Sequence, residues 1–115
     1  MPTPITVVET GEFLKCAASF MKDSERAELV AFVAANPEAG EIIPGSGGVR
    51  KIRWARGGMG KRGGARVIYY YQNDRLPVFL LSAYAKNRKE NLTPAERNAM
   101  KRLIPFLVQG YRRKV

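Results

Sequence analysis

Residues 49–71, VRKIRWARGGMGKRGGARVIYYY, combine two strand-like runs, a glycine-rich connection and regularly spaced cations. Side chains alternate along a strand, so Lys51 and Arg53 share one face of the first run while Ile52 and Trp54 share the other. One face of this hairpin can therefore pack on a core while the other presents fixed positive charge. Cations held on a rigid sheet suit a phosphate-rich partner.

The net charge of the chain, +10, is unevenly distributed. Residues 1–45 carry three cations and seven acids, a net charge of −4, whereas residues 46–115 carry seventeen cations and three acids, a net charge of +14. This asymmetry favours a polyanionic partner that meets the C-terminal portion. A membrane surface is a weaker alternative, because no basic amphipathic helix stands out.

The length and composition favour a single cytoplasmic domain covering residues 1–115. No apolar run approaches the roughly 18–20 residues that a membrane-spanning helix needs, and no signal peptide is visible, so we expect no membrane association. The one cysteine, Cys16, cannot form a disulfide within the chain and is expected to be a buried, inert thiol.

The chain contains no histidine, which removes the commonest general base and the commonest metal ligand. We therefore expect no metal site and no cofactor, because one cysteine without histidine makes a zinc site very unfavourable. Any catalysis has to use lysine, arginine, tyrosine or a carboxylate.

The hydrophobic pattern predicts the element order β-α-α-β-β-β-α. The strands of this order are 4–9, 49–55, 65–72 and 77–85, and the helices are 11–21, 25–35 and one that starts at 93–96. Residues 42–43 can add a brief edge strand, which Pro44 limits. The last strand is apolar on both faces, as expected for a central strand covered on two sides. The predicted fold class is α+β, with two N-terminal helices and a C-terminal helix packed on a small twisted antiparallel sheet.

The C-terminal helix has a clear start signal in the sequence TPAE. Thr93 can cap the helix, Pro94 suits its first position, and Glu96 can complete a capping box. Pro105 would clash with the carbonyl four residues earlier and predicts a kink or a restart. The residues predicted to be buried on this helix are Ala99, Met100, Leu103, Ile104 and Leu107.

Residues 58–63, GMGKRG, match a dinucleotide-binding glycine pattern in form only. That motif must lie between a strand and a helix, and here it lies between two predicted strands. Two interpretations stay open. The segment is either a flexible hairpin loop, or a mobile cationic loop in which Lys61 and Arg62 close over a nucleic-acid backbone.

The strand cations and tyrosines also allow two interpretations. Arg66 shares its face with Ile68 and Tyr70, which places it at the rim of a packed surface, where its guanidinium can hold a phosphate at two points. Solvated outer-face cations are the structural alternative. Most of the consecutive tyrosines 69–71 are expected to pack in the core rather than stack on bases. The segment 84–89, YAKNRK, is either a polar loop or a set of phosphate contacts and proton donors.

Three runs resemble one known family. GSGGVRKIRW, GKRGGARVIYYY and LLSAYAKN followed by LTPAE resemble toxins of the RelE/ParE superfamily, in particular its HigB-like branch, over roughly residues 5–105. The resemblance implies the RelE-like fold. It also implies a ribosome-dependent, metal-independent endoribonuclease of a type II toxin–antitoxin system. Such toxins cleave mRNA by attack of a ribose 2′-hydroxyl on the adjacent phosphate, and so inhibit translation.

The resemblance also implies functional residues. Arg66 matches the family's phosphate-stabilising arginine, Lys51 and Arg53 match the basic positions of the preceding strand, and Lys86 falls where the family often carries a basic residue. Further cations expected to bind RNA are Arg50, Arg56, Lys61, Arg62 and Lys89. Many RelE members carry a tyrosine near the start of the last helix as the proposed general base, but the corresponding position is close to Leu92. Tyr84, or a neutral Lys51 or Lys86, is therefore a candidate proton acceptor.

The partners implied by the resemblance are mRNA, the ribosome and a cognate antitoxin, which the HigB-like match implies is a helix-turn-helix protein of the HigA type. The alternative function is a non-catalytic basic RNA- or ribosome-binding module, which the charge distribution accommodates equally well. A DNA-binding regulator is a weaker third possibility, because the helical hairpin lies in the acidic N-terminal portion and no basic recognition helix is visible.

Overall fold

The computed structural model describes residues 4–56, 60–85 and 91–114, with side chains for residues 4–54, 64–85 and 91–112. The elements are β1 (Val7–Glu9), α1 (Gly11–Ala18), α2 (Asp23–Ala35), β2 (Glu41–Ile42), β3 (Val49–Arg56), β4 (Gly60–Tyr70), β5 (Val78–Ala85) and α3 (Pro94–Lys114). The strands form one sheet in the order β1-β5-β4-β3-β2. The predicted α+β class is therefore confirmed, and the brief edge strand β2 adds one strand to the predicted order β-α-α-β-β-β-α.

One detail of the predicted sheet is wrong, because the sheet is mixed rather than wholly antiparallel. β1 pairs parallel with β5, with Val7 opposite Val78, while the remaining pairs are antiparallel. Two helices and three strands separate β1 from β5 along the chain, so no tight hairpin imposes an antiparallel direction on this pair.

The connection between β3 and β4 is also shorter than predicted. β4 begins at Gly60 instead of residue 65, and the ladder continues past an irregularity after Trp54 to pair Arg56 with Gly60. Part of the glycine-rich segment expected to be a hairpin loop is therefore strand. Pairing with β3 overrides the weak intrinsic strand preference of glycine.

The sheet carries a hydrophobic core on each face. Val78 and Leu80 of β5 belong to the core under α1 and α2, whereas Phe79 and Leu81 belong to the core under α3. The prediction that this strand is covered on both sides is confirmed. Each fully buried side chain of this size contributes about 1.5–3 kcal/mol to folding.

The consecutive tyrosines divide between the two cores as predicted. Tyr69 lies under α1 and α2, and Tyr70 lies under α3. The Tyr69 hydroxyl donates to the Pro37 carbonyl at 2.8 Å and accepts from the Gly40 N–H at 2.8 Å. Burial raises the pKa of the Tyr69 phenol above its ordinary value, because a phenolate there would lose its hydration. Tyr69 thus fixes the chain entering β2 against the sheet.

Helix α3 has the predicted start, and it runs on past the proline at which a kink or a restart was predicted. The Glu96 N–H donates to Thr93 Oγ1 at 3.1 Å, and the Thr93 N–H donates to Glu96 Oε1 at 2.9 Å, which is the expected capping box. The helix continues through Pro105 without a restart.

The buried stripe of α3 is rotated relative to the prediction. Ile104 is buried as predicted, and Met100 and Leu107 pack on the core, but Ala99 and Leu103 are exposed. Val108 and Tyr111 complete the packed stripe in their place, because residues four apart share a helix face. Cys16 is half-buried rather than buried, with its Sγ 3.8 Å from Ser82 Oγ.

The packing around Tyr69 predicts that Gly40→Ala destabilises the protein by about 1–3 kcal/mol. A Cβ at Gly40 would lie 2.8 Å from the Tyr69 hydroxyl and 3.0 Å from the Lys51 carbonyl, so either the ring or β3 has to move. Urea unfolding measures the change. Gly11→Ala is the matched control, because a Cβ there meets nothing within 4 Å in the first turn of α1. An equal free energy of unfolding for Gly40→Ala and wild type would contradict this account.

Candidate nucleic-acid interface and catalytic site

Three of the predicted site residues form a line across the sheet. The strand register places Arg53 of β3 directly opposite Arg66 of β4, and Arg66 directly opposite Tyr84 of β5. Directly opposed residues of an antiparallel pair have Cβ atoms about 4.5–5.5 Å apart and point to the same face. We call Arg53, Arg66 and Tyr84 the arginine–tyrosine row. It lies on the α3 face of the sheet, because Tyr84 packs in the core under α3.

The burial of the row is graded. Arg66 is 2% exposed and Tyr84 is buried, whereas Arg53, nearer the sheet edge, is exposed. Arg66 was expected at the rim of a packed surface and is instead enclosed, because β4 has a strand on each side. Burial restricts the positions that its guanidinium can take.

The two arginines of the row oppose each other across adjacent strands. Like charges directly opposite each other destabilise a sheet. Phosphate geometry suits two-point contacts with arginine. The strand register therefore makes the two opposed arginines a candidate contact for a phosphate.

Lys51 extends the cationic face toward β2. It lies two residues before Arg53 on the same face of β3, and its Nζ donates to Asn91 Oδ1 at 2.6 Å. Asn91 lies just before the first turn of α3. This contact ties the start of the helix to the charged face. Asn91 was not predicted, because nothing in the sequence relates it to a lysine forty positions away.

Arg50 lies apart from the row. It alternates with Lys51 and faces α2 together with Ile52, and its Nη1 donates to the carbonyls of Glu38 at 3.2 Å and Gly40 at 2.8 Å. These bonds hold the segment that enters β2. The expectation that Arg50 binds RNA stays a prediction, and the structure does not group it with the other candidates.

The remaining candidates are only partly covered by the structure. Arg56 lies in β3, and Lys61 and Arg62 lie in β4, but their side chains are outside the described part of the chain. Lys86 and Lys89 lie outside the described residues.

Helix α3 adds two cations that the sequence interpretation did not single out. A Cβ at Gly45 would meet Arg97 Nε at 3.7 Å, and one at Gly47 would meet Lys101 Cγ at 3.3 Å, so both side chains lie against the turn before β3. Gly45 and Gly47 have φ of 73° and 79°, a backbone conformation that favours glycine. Arg97 and Lys101 are four residues apart and lie on one helix face. This spacing is the sequence signal from which the pair could have been predicted.

Within residues 4–56, 60–85 and 91–114, no group of three or more histidine, cysteine or acidic side chains is arranged to hold a metal ion. In the same part of the chain, no helix is long and apolar enough to cross a membrane. The side chains brought together on the cationic face are those of arginine, lysine, tyrosine and asparagine.

The fold and the row define a class of small basic α+β protein with cations fixed on a sheet beneath a C-terminal helix. Residues 38–112 match the family model described as the RelE toxin of the RelE / RelB toxin-antitoxin system. This range covers most of the chain and all of the arginine–tyrosine row. The chain therefore belongs to the RelE toxin family.

A solved structure has the same fold. The chain is 21% identical to the E. coli toxin RelE, solved as a double arginine-to-alanine mutant in the free state, with a TM-score of 0.53. The superposition covers 76% of this chain and 88% of that chain. The likeness confirms the RelE-like fold expected from the sequence.

Proposed function

We propose that this chain is a ribosome-dependent endoribonuclease that cleaves mRNA without a metal ion and thereby inhibits translation. The single observation that carries the proposal is the arginine–tyrosine row, in which a buried arginine stands between a second arginine and a tyrosine. Membership of the RelE toxin family supports a toxin role, and the row supplies groups suited to a phosphodiester.

The proposed reaction is an internal transfer at one RNA linkage. The ribose 2′-oxygen attacks the adjacent phosphorus, the bond from phosphorus to the 5′-oxygen breaks, and a 2′,3′-cyclic phosphate and a 5′-hydroxyl result. Negative charge accumulates on the phosphoryl oxygens in the transition state. Arg66 and Arg53 are proposed to stabilise that charge, and their fixed positions avoid reorganisation during the reaction.

The proton transfers require one acceptor at the 2′-hydroxyl and one donor at the leaving oxygen. Tyr84 and Lys51 are the described candidates, because they flank the two arginines on the same face of the sheet. Tyr84 stands beside Arg66, the proposed phosphate ligand, and Lys51 is held by Asn91. Lys86 stays a third candidate. Each of the three is a candidate both for the proton acceptor and for the proton donor.

The proposed partners follow from the family and from the charge of +14 on residues 46–115. They are mRNA in the ribosome and a cognate antitoxin, for which a helix-turn-helix protein of the HigA type is our proposal, together with a cytoplasmic location. An acidic segment of the antitoxin would neutralise the basic face by occupying it.

The test is to induce the chain in bacteria and to map mRNA 5′ ends with translation running and with initiation blocked. We expect growth arrest and new 5′-hydroxyl ends that appear only in translated messages. Unimpaired growth with intact transcripts would contradict the proposal and favour the non-catalytic RNA-binding module. Cuts that persist without translation would retain the nuclease and refute its dependence on the ribosome.

A further inference from the structure

A cavity lies at the edge of the sheet, beside the proposed cleavage site. Its volume is about 400 Å³, and its lining residues are Phe32, Ala39, Glu41, Lys51, Ile52 and Arg53. Lys51 and Arg53 belong to the cationic face already described, whereas the other four lining residues have no part in the proposed chemistry. The cavity is therefore continuous with the proposed cleavage site and extends it past the sheet edge.

The short length of β2 leaves room for this cavity. The ladder between β2 and β3 consists of the pairs Glu41–Lys51 and Ile42–Arg50. Past Lys51, the outer edge of β3 has no strand partner among the described residues. Helix α2 passes beside this edge and brings Phe32 to the cavity, so residues from both faces of the sheet meet around one open edge.

The Phe32 ring packs against Trp54 and remains partly exposed to solvent. Its centroid is 5.5 Å from that of Trp54, at an interplanar angle of 50°, and the residue is 37% exposed. A large aromatic side chain that is partly exposed beside arginine and lysine is a combination typical of single-stranded nucleic-acid binding, where bases stack on aromatic rings and phosphates contact cations.

The lining groups correspond to the parts of one nucleotide. Phe32 offers an aromatic surface to a base, and Arg53 offers a cation to its phosphate. The Glu41 carboxylate accepts hydrogen bonds and repels phosphate, so it favours the orientation in which the base edge faces it. A carboxylate pairs with an exocyclic amino group, which adenine, cytosine and guanine carry and uracil lacks.

We propose that this cavity is a base-binding subsite for the nucleotide next to the cleaved linkage, with a preference for bases that carry an exocyclic amino group. The proposal rests on the proposed function for the identity of its ligand. Phe32 stacks on the base, Glu41 accepts from its amino group, and Arg53 holds the phosphate that joins it to the linkage in the arginine–tyrosine row.

The test uses 2′-O-methyl tetranucleotides, which lack the attacking hydroxyl and so bind without being cleaved. Isothermal titration compares the tetraadenylate and the tetrauridylate for wild type and variants. We expect wild type to bind the tetraadenylate more tightly, and Phe32→Ala to weaken that binding on the order of tenfold. Phe32→Tyr should bind the tetraadenylate as tightly as wild type does, because it keeps the aromatic ring. Glu41→Gln should reduce the difference between the two oligonucleotides.

Matched controls separate these effects from general loss of charge or aromatic surface. Phe106→Ala removes a more exposed ring from α3, and Asp74→Asn removes an acid from the turn between β4 and β5. Both should bind like wild type. Urea unfolding of each variant shows whether it is folded, and the restored binding of Phe32→Tyr covers the case in which Phe32→Ala does not fold.

The outcomes distinguish this inference from the proposed function. If mRNA ends show cleavage in cells while Phe32→Ala and Glu41→Gln bind both oligonucleotides as wild type does, the subsite is wrong and the nuclease stands. If wild type cuts no RNA but its binding depends on Phe32, the nuclease is wrong and the base subsite stands. Weakened antitoxin binding with unchanged oligonucleotide binding would assign the cavity to the protein partner and overturn the subsite.

Discussion

Arg66→Ala is expected to reduce RNA cleavage by roughly 10²–10³-fold, the loss found when one preorganised donor to a developing oxyanion is removed. The physical reason is the position of this guanidinium, 2% exposed and fixed between Arg53 and Tyr84. The measurement is the rate at which translated mRNA is cut in a reconstituted translation mixture. Growth arrest on induction should be lost in parallel.

Stability has to be separated from activity in this variant, because removing a buried side chain leaves a cavity. Arg66→Met keeps most of the volume and should lose cleavage to a similar extent while unfolding near the wild-type urea concentration. Arg66→Lys keeps the charge without the two-pronged geometry and should retain an intermediate rate. Arg75→Ala, an exposed arginine in the turn before β5, is the control and should cleave normally. Wild-type cleavage by Arg66→Met would remove Arg66 from the mechanism.

Arg53→Glu is expected to change stability and activity in opposite directions. It replaces a pair of like charges across β3 and β4 with a pair of opposite charges, which should raise the free energy of unfolding by about 0.2–1 kcal/mol. The same change puts a carboxylate beside the phosphate site and pairs Arg66 with a competing anion. Cleavage should therefore fall by at least about 10²-fold.

The control for this second variant is Arg75→Glu, which makes the same charge change far from the row. It should leave cleavage unchanged and should not stabilise the protein. High salt should narrow the stability difference between Arg53→Glu and wild type, because Arg53 is exposed and its interactions are screened. A destabilised Arg53→Glu variant would show that the two arginines do not repel each other in the folded protein.

Much of the fold could be predicted because its local signals agree with its tertiary structure. The alternation of residues 49–54 assigned Lys51 and Arg53 to one face and Ile52 and Trp54 to the other, and the observed cores match this division. The two apolar faces of β5 and the capping box of Thr93 could also be predicted from the sequence. Each depends on a period or a spacing of a few residues, which the sequence contains explicitly.

The mismatches arise where distant segments meet. The parallel direction of β1 depends on where the chain returns, and the rotation of α3, which exposes Leu103, depends on the sheet beneath it. Neither is encoded by a local period. The burial of Arg66 has the same origin, because it reflects a neighbouring strand on each side rather than the sequence around residue 66.

The candidate site divides in the same way. The residue types of the arginine–tyrosine row were predictable, but their direct opposition depends on the register of three strands, with an irregularity after Ile68 in the second pair. The contact between Lys51 and Asn91 and the place of Phe32 at the sheet edge require α3 and α2 to be docked. Such juxtapositions follow from packing and cannot be obtained from spacing along the chain.

The pairing of β1 with β5 has a consequence for how the chain is synthesised and handled. The strands from Val49 to Ala85 are successive antiparallel neighbours and can join as they emerge, but residues 7–9 stay unpaired until Val78 is available. Until then the apolar β5 is an exposed edge strand with unpaired backbone groups, which favours association with other chains. Deleting the segment before Gly11 would leave that sheet edge exposed permanently. N-terminally shortened forms should therefore aggregate, even though both arginines of the row are retained.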